Sequence, residues 1–221
     1  MKSIFIALIL VFSSSTFAQV VSVNVYQPTA GGAPQLTQSF REARDIIQAS
    51  GAQVAISNDL SGTFRFAVIH DSWEAYGEWF AALQTNGAFG AFQGRVSREA
   101  ASVQTDNIRL RTIESAAPGG GPGAVTQITV WEVTTSTMAR LLQAGRDSKV
   151  IHEKEGSAVS VYANGNNRMY YLQRYDNMAA WGKAQDTPNS AEFNAYMQSL
   201  AAEGNGDLGA VVVDSFTSIS L

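Results

Sequence analysis

Chemistry has few places to reside in this chain. Its 221 residues contain two histidines and no cysteine, which removes thiolate nucleophiles, disulfides, Fe–S clusters and a lipid-anchored cysteine. His152 stands beside Glu153 and Glu155, the only tight grouping of a histidine with carboxylates. Adjacent helical residues point in different directions, so the three do not make a metal triad, and no metal site is expected. With Lys154 between them, the two glutamates read as a solvated helix end. His152 itself follows Leu141 by eleven residues, three helical turns, which puts it on the stripe expected to face a sheet. There an imidazole can serve as acid, base or iron ligand in a pocket. The alternative is an exposed histidine favoured by the dipole at a helix C-terminus. His152 is the candidate catalytic residue.

The remaining polar groups read more plainly. His70, next to Asp71, reads as a strand-end polar residue. Asp71 and Asp176 fall at helix starts, where an oxygen acceptor satisfies free amides, and Ser72 can serve in place of Asp71. No Gly-x-Ser-x-Gly, His-Glu-x-x-His or phosphate-loop motif is present. Trp73, Tyr76, Trp79, Phe80, Phe89 and Phe92 crowd one segment, and an aromatic-rich helix of this kind reads as core.

Two copies of one unit must position these groups. Displacing the sequence by 105 residues aligns 22–82 with 127–187 without a gap. Val25 then meets Val130, Leu36 meets Leu141, Arg41 meets Arg146, Gly51 meets Gly156 and Tyr76 meets Trp181. On this alignment His152 falls on Ile47, so an imidazole replaces an apolar stripe residue in one copy only. The glycine- and proline-rich stretch 115–124 reads as a linker. The predicted organisation is a leader at 1–18, a first repeat at 19–114, the linker, and a second repeat at 125–221.

The leader is read from Lys2, the apolar run Ile4 to Phe12, and small residues before a cut after Ala18. Nine apolar residues are too few for a bilayer core, which takes roughly 20 in a helix. Its removal takes one lysine and no acid, moving the formal charge from −4 to −5. The expectation is a periplasmic or secreted protein with no membrane segment left. That charge also argues against nucleic acid as a partner, and 15% charged residues exclude a disordered or coiled-coil chain.

Each copy reads strand–helix–strand–strand–helix–strand. Val21, Val23 and Val25 alternate with polar residues at the period of a strand. Leu36, Phe40, Ala43 and Ile47 form a helical stripe, and Gly51 suits a left-handed cap. Further strands are predicted at 53–57, 64–69 and about 107–113. The second copy repeats them at 126–133, 158–162, 169–174 and 208–219, with helices at 136–154 and, interrupted at Pro188, from Asp176 to Ala202.

Two such units, each with a broken second helix ending in an aromatic-x-Ala-aromatic step (Phe89 to Phe92, Phe193 to Tyr196), resemble a tandem member of the dimeric α+β barrel superfamily. That group includes antibiotic-biosynthesis-monooxygenase-like and NIPSNAP-like domains. The resemblance implies an α+β fold: two ferredoxin-like βαββαβ units whose antiparallel sheets pack as a barrel within one chain. It also implies cofactor-independent oxygenation or haem handling as activities. Haem-degrading members use an Asn, a Trp and a His in one domain; Asn24 and Trp73 resemble the first two, but no histidine follows at a matching place.

Strand parity assigns Val23, Val25, Val54, Ile56, Phe66, Val68, Ile128, Val130, Val159, Val161 and Tyr171 to the helices. The opposite face then holds Asn24, Tyr26, Arg65, Thr129, Trp131, Ser160, Tyr162, Tyr170 and Arg174. Of these, Asn24, Tyr26, Arg65, Trp131, Tyr170 and Arg174 are the candidate ligand-binding residues. Three functions remain open: an exported protein binding a small apolar or aromatic molecule without a cofactor, an oxygenase or haem-handling enzyme, and an interaction scaffold, as a monomer or homodimer.

Overall fold

The computed structural model describes residues 19–116, 120–204 and 207–221. The expected leader and residues 117–119 of the expected linker lie outside them. The first unit runs β1 (Val20–Pro28), α1 (Ala33–Ala49), β2 (Gln53–Asp59), β3 (Phe64–His70), α2 (Trp73–Gln84), α3 (Gly87–Glu99) and β4 (Ser102–Glu114). The second repeats it as β5 (Val125–Val133), α4 (Met138–Lys154), β6 (Ala158–Ala163), β7 (Arg168–Tyr175), α5 (Met178–Asp186), α6 (Ala191–Glu203) and β8 (Ala210–Ser220). The starts of β1, α1, β2 and α2 recur 105 residues later. Local chemistry recurs with them: Gly51 and Gly156, after α1 and α4, both take the positive φ (94° and 91°) that L side chains resist. Of the two candidates at the first helix Ser72 is the cap, and at the second the cap falls one residue after Asp176. Ser72 Oγ accepts from the Ala75 amide at 3.0 Å and Asn177 Oδ1 from that of Ala180 at 2.9 Å, because the extended backbone of a cap falls at 72 and 177.

The strands close into one antiparallel barrel in the order β1-β3-β2-β8-β5-β7-β6-β4. Each unit contributes four consecutive strands, and two short seams join them. At one, Ser57, Asn58 and Asp59 pair with Ser220, Ile219 and Ser218; at the other, Arg111 and Thr112 pair with Ala163 and Tyr162. The lumen is filled by Val21, Leu110, Ile128, Val130 and Tyr170, with Ile69, Ile108, Leu172 and Phe216 beside them. α1 and α4 cover the outer faces, giving one further apolar cluster per unit.

Both faces of every sheet are therefore covered, and this corrects the expected parity. Asn24 pairs with Phe66 and Tyr26 with Phe64, while Val23 pairs with Ala67. Val21, Val23 and Val25 thus face the lumen, and Asn24 and Tyr26 face the helices. β5 repeats the inversion: Thr129 and Trp131 pair with the helix-facing Tyr171 and Met169, leaving Ile128 and Val130 in the lumen. Apolar alternation identifies a buried face only when the other face is wet; with two buried faces it is silent on which is which.

Arg65 is a structural residue of the first seam. Its Nη1 donates to Asp59 Oδ2 at 2.9 Å, and its guanidinium lies 3.9 Å over the Phe216 ring of β8. Asp59 also accepts from the amides of Ser61 and Thr63, each at 2.9 Å. Burial alone would raise the Asp59 carboxyl, but these bonds and the Arg65 charge outweigh it and lower it. We expect Asp59→Ala to strand the Arg65 charge and cost about 3–5 kcal/mol in urea unfolding. The Asp59→Leu/Arg65→Met pair should recover most of that loss; a double variant no better than Asp59→Ala would contradict the stranded-charge account.

Candidate functional site

Each unit holds a cavity between its helices and the outer face of its sheet, for a shared reason. α1 and α4 pack down firmly, but the second helices do not. α2 buries only Leu83, and α3, α5 and α6 bury no residue fully. The aromatic segment expected to be core is core only in part, since Trp79 and Phe92 pack against the first unit's apolar cluster while partly buried. Trp73 and Phe80 are about half exposed (50% and 47%), and Trp79, Phe80, Phe89 and Phe92 line a cavity.

In the second unit, α4 lies close on the sheet at Gly145, where an added Cβ would come within 2.7 Å of Met169 Sδ. Two turns on, the side chain of His152 is half-buried, and its Nδ1 lies 2.6 Å from the hydroxyl of Tyr171 on β7. Phe193 of α6 packs against the imidazole with ring centroids 4.5 Å apart. The half-open cavity here measures about 180 Å³ and is walled by Leu141, Met169, Phe193, Met197 and Leu200, with Thr129, Trp131 and Gln173 on the sheet. A dry cavity of about 150 Å³ holds a benzene, so the space suits one ring. An open groove of about 700 Å³ shares Thr129, His152, Gln173 and Phe193 and extends toward Pro188. His152 thus stands at the threshold between them.

The pair has a definite protonation pattern. Tyr171 is buried, and Nδ1 is its hydroxyl's one hydrogen-bond partner among the described residues. A buried hydroxyl that failed to donate would leave its proton unsatisfied, so it donates to Nδ1 and the imidazole proton sits on Nε2. Burial, aided by Glu153, holds the Tyr171 phenol far above its ordinary range, and burial lowers His152 against the opposing charge of Glu155. Both are neutral at pH 7.

Haem iron at His152 would need the other tautomer, in which Nδ1–H donates to Tyr171 and Nε2 is left bare, and a macrocycle exceeds the space of about 180 Å³ beside it. The first unit's cavity is larger, about 660 Å³; its lining holds no histidine, methionine or cysteine, and its phenols are those of Tyr26 and Tyr76.

That first cavity lies between α1–α3 and strands β1, β3 and β4. Its aromatic wall faces a polar strip of Asn24, Gln104, Asn107 and Arg109. Asn24 Oδ1 accepts from Asn107 Nδ2 at 2.6 Å and from Gln104 Nε2 at 3.2 Å. His70 ends β3 as expected, and it is buried there, with its ring 4.6 Å from Trp79 and 5.4 Å from Tyr76. Its Nε2 is buried without a partner, and burial lowers its pKa against the charge of Asp71.

The candidate ligand residues thus divide three ways. Trp131 joins His152 in the second cavity, and Asn24 and Tyr26 line the first. Arg65 and Tyr170 belong to the barrel, Tyr170 with its hydroxyl 3.3 Å from Asn164 Nδ2. Arg174 shares the Tyr170 side of β7 and packs against Gly120, where a Cβ would come within 2.7 Å of its Cδ. Tyr171, Gln104, Asn107 and Arg109 were missed. Tyr171 was legible as the aromatic aligned with Phe66; Gln104 lies before the expected start of β4 near Asn107, and no strand parity was assigned there to single out Asn107 or Arg109.

No family model and no curated protein sequence matches the chain. Solved structures do. A monooxygenase candidate from Fusobacterium nucleatum superposes with a TM-score of 0.61 at 8% identity, over 92% of this chain and 91% of its own. An anthrone oxidase-like protein gives 0.59 at 16% identity over 92% of each chain. A chlorite dismutase candidate gives 0.57 at 10% identity, over 92% and 95%. The fold is a dimeric α+β barrel, here closed within one chain. Its similarity to antibiotic-biosynthesis-monooxygenase-like structures agrees with the resemblance read from the sequence.

The two buried histidines set a pH dependence. Their folded pKa values lie below the unfolded value of about 6.5, so below that pH the unfolded chain binds more protons and stability falls. We expect the melting temperature to drop as pH goes from 7 to 5. His70→Phe and His152→Phe should each flatten that slope, and a slope unchanged in both variants would refute this.

Proposed function

We propose that the protein binds flat, mostly apolar small molecules in its helix–sheet cavities. The observation that carries this reading is the loose seating of the second helices. Protein interiors pack as densely as organic crystals, yet α2 and α3 leave about 660 Å³ lined with aromatic rings, within the size range of small-molecule sites. Export after cleavage of residues 1–18 belongs to this reading and rests on the sequence alone. Heat denaturation with and without a flat tricyclic probe such as anthrone tests it. We expect saturable stabilisation, as for any ligand that binds only the folded state; no shift at millimolar probe would sink it.

A second reading, cofactor-independent oxygenation, is favoured by the His152–Tyr171 pair and by the monooxygenase candidates among the structural matches. A ligand proton moves to Tyr171 Oη as the Tyr171 proton moves to His152 Nδ1, leaving a carbanion or enolate among apolar walls. Dissolved oxygen then attacks that electron-rich carbon. For a methylene the balance is R₂CH₂ + O₂ → R₂C=O + H₂O, with the ligand oxidised and oxygen reduced. The smaller space takes one ring and the adjoining groove the remainder of a larger molecule. We expect oxygen uptake with anthrone above the buffer rate, falling about 10²–10⁴-fold in Tyr171→Phe with anthrone binding retained. Binding without uptake would end the oxygenase reading and leave the binding one standing.

A further inference from the structure

We infer that the first unit's cavity takes a planar aromatic carboxylate, its ring against the α2–α3 aromatics and its carboxylate on Arg109. The inference rests on the reading that these cavities bind small molecules, and it names the ligand class of one of them.

Arg109, exposed like Gln104 and Asn107 beside it, is the one Lys or Arg lining this cavity, whose lining includes no Asp or Glu. No hydrogen bond or ion pair engages it among the described residues; it lies 5.9 Å from the centroid of the Tyr76 ring, on α2 across the cavity. Arg65, Arg95, Arg140, Arg146 and Arg168 each meet a carboxylate, and the other arginines without an ion pair among the described residues, Arg41, Arg98 and Arg111, do not line this cavity. Beside Arg109, the Asn24 carbonyl oxygen is already saturated by Asn107 and Gln104. Its amide nitrogen keeps two N–H donors that engage no acceptor among the described residues. A strip offering a guanidinium fork and an amide, opposite stacked rings such as Phe89 and Phe92, is complementary to a flat body ending in a carboxylate. A guanidinium meets that group with two parallel hydrogen bonds.

The duplication supplies an internal control. Arg109 pairs across the ladder with Ser22, and at the equivalent place in the second unit Thr217 pairs with Gln127. Thr217 donates to Gln127 Oε1 at 2.8 Å and carries no charge. The same framework thus folds without the cation, so Arg109 is not required by the architecture.

Calorimetric titration of the full chain with 2-naphthoate and with uncharged 2-naphthalenemethanol tests the inference. The carboxylate should bind about tenfold to a hundredfold more tightly, and added salt should narrow the gap. Arg109→Gln should erase the preference without weakening the alcohol, and Arg109→Lys should restore part of it. Equal affinities for the two compounds, or a preference that survives Arg109→Gln, would overturn the carboxylate assignment alone. If neither compound binds, the cavity-binding reading falls and the inference with it.

Discussion

Everything in this molecule depends on two four-stranded sheets covering each other's inner faces. A single unit would expose Val21, Ile108 and Leu110, or Ile128, Val130 and Leu172, to water, and a sheet with one unsatisfied apolar face does not stay single. Closure rests on short seams: a few ladder pairs on either side, reinforced by the Asp59–Arg65 pair and the Arg65–Phe216 contact. Because the lumen is filled with side chains, it is a core and not a binding chamber. The spaces left for ligands are outside the barrel, under the helices.

That division explains why the two cavities could diverge. Each is bounded by one unit's own helices and strands, so a change in one leaves the barrel intact. The second unit carries His152 and Tyr171, a hydrogen-bonded neutral pair beside a space of about 180 Å³, where the first has Ile47 and Phe66. The first unit's cavity is larger, with polar groups around Asn24 and Arg109. Duplication supplied the scaffold twice, and the chemistry differs by a handful of side chains.

Much of this was legible in the residues. Duplication at a displacement of 105, the order of the elements, the broken second helices and the asymmetry at His152 all follow from local spacing, and the structure repeats them. The parity of β1 and β5 was not legible. Val21, Val23 and Val25 look like the face that seeks helices, yet they fill the lumen, and Asn24 and Tyr26 look like a lumen face and lie under α1 and α3. The choice of cap was open for a related reason, falling to Ser72 in one unit and to Asn177, one residue after Asp176, in the other, since several oxygen-bearing residues in a row can each serve and backbone dihedrals choose among them.

By itself the sequence determined the periodicities: which segments are strands and helices, and that one unit occurs twice, because these depend on neighbours a few residues apart. Only the tertiary structure decided which strand face meets which layer, that Tyr171 would reach His152, and that Arg109 would stand in a cavity without an acid. Those outcomes depend on register between strands far apart in the chain, and a one-residue change of register exchanges every side chain between lumen and cavity.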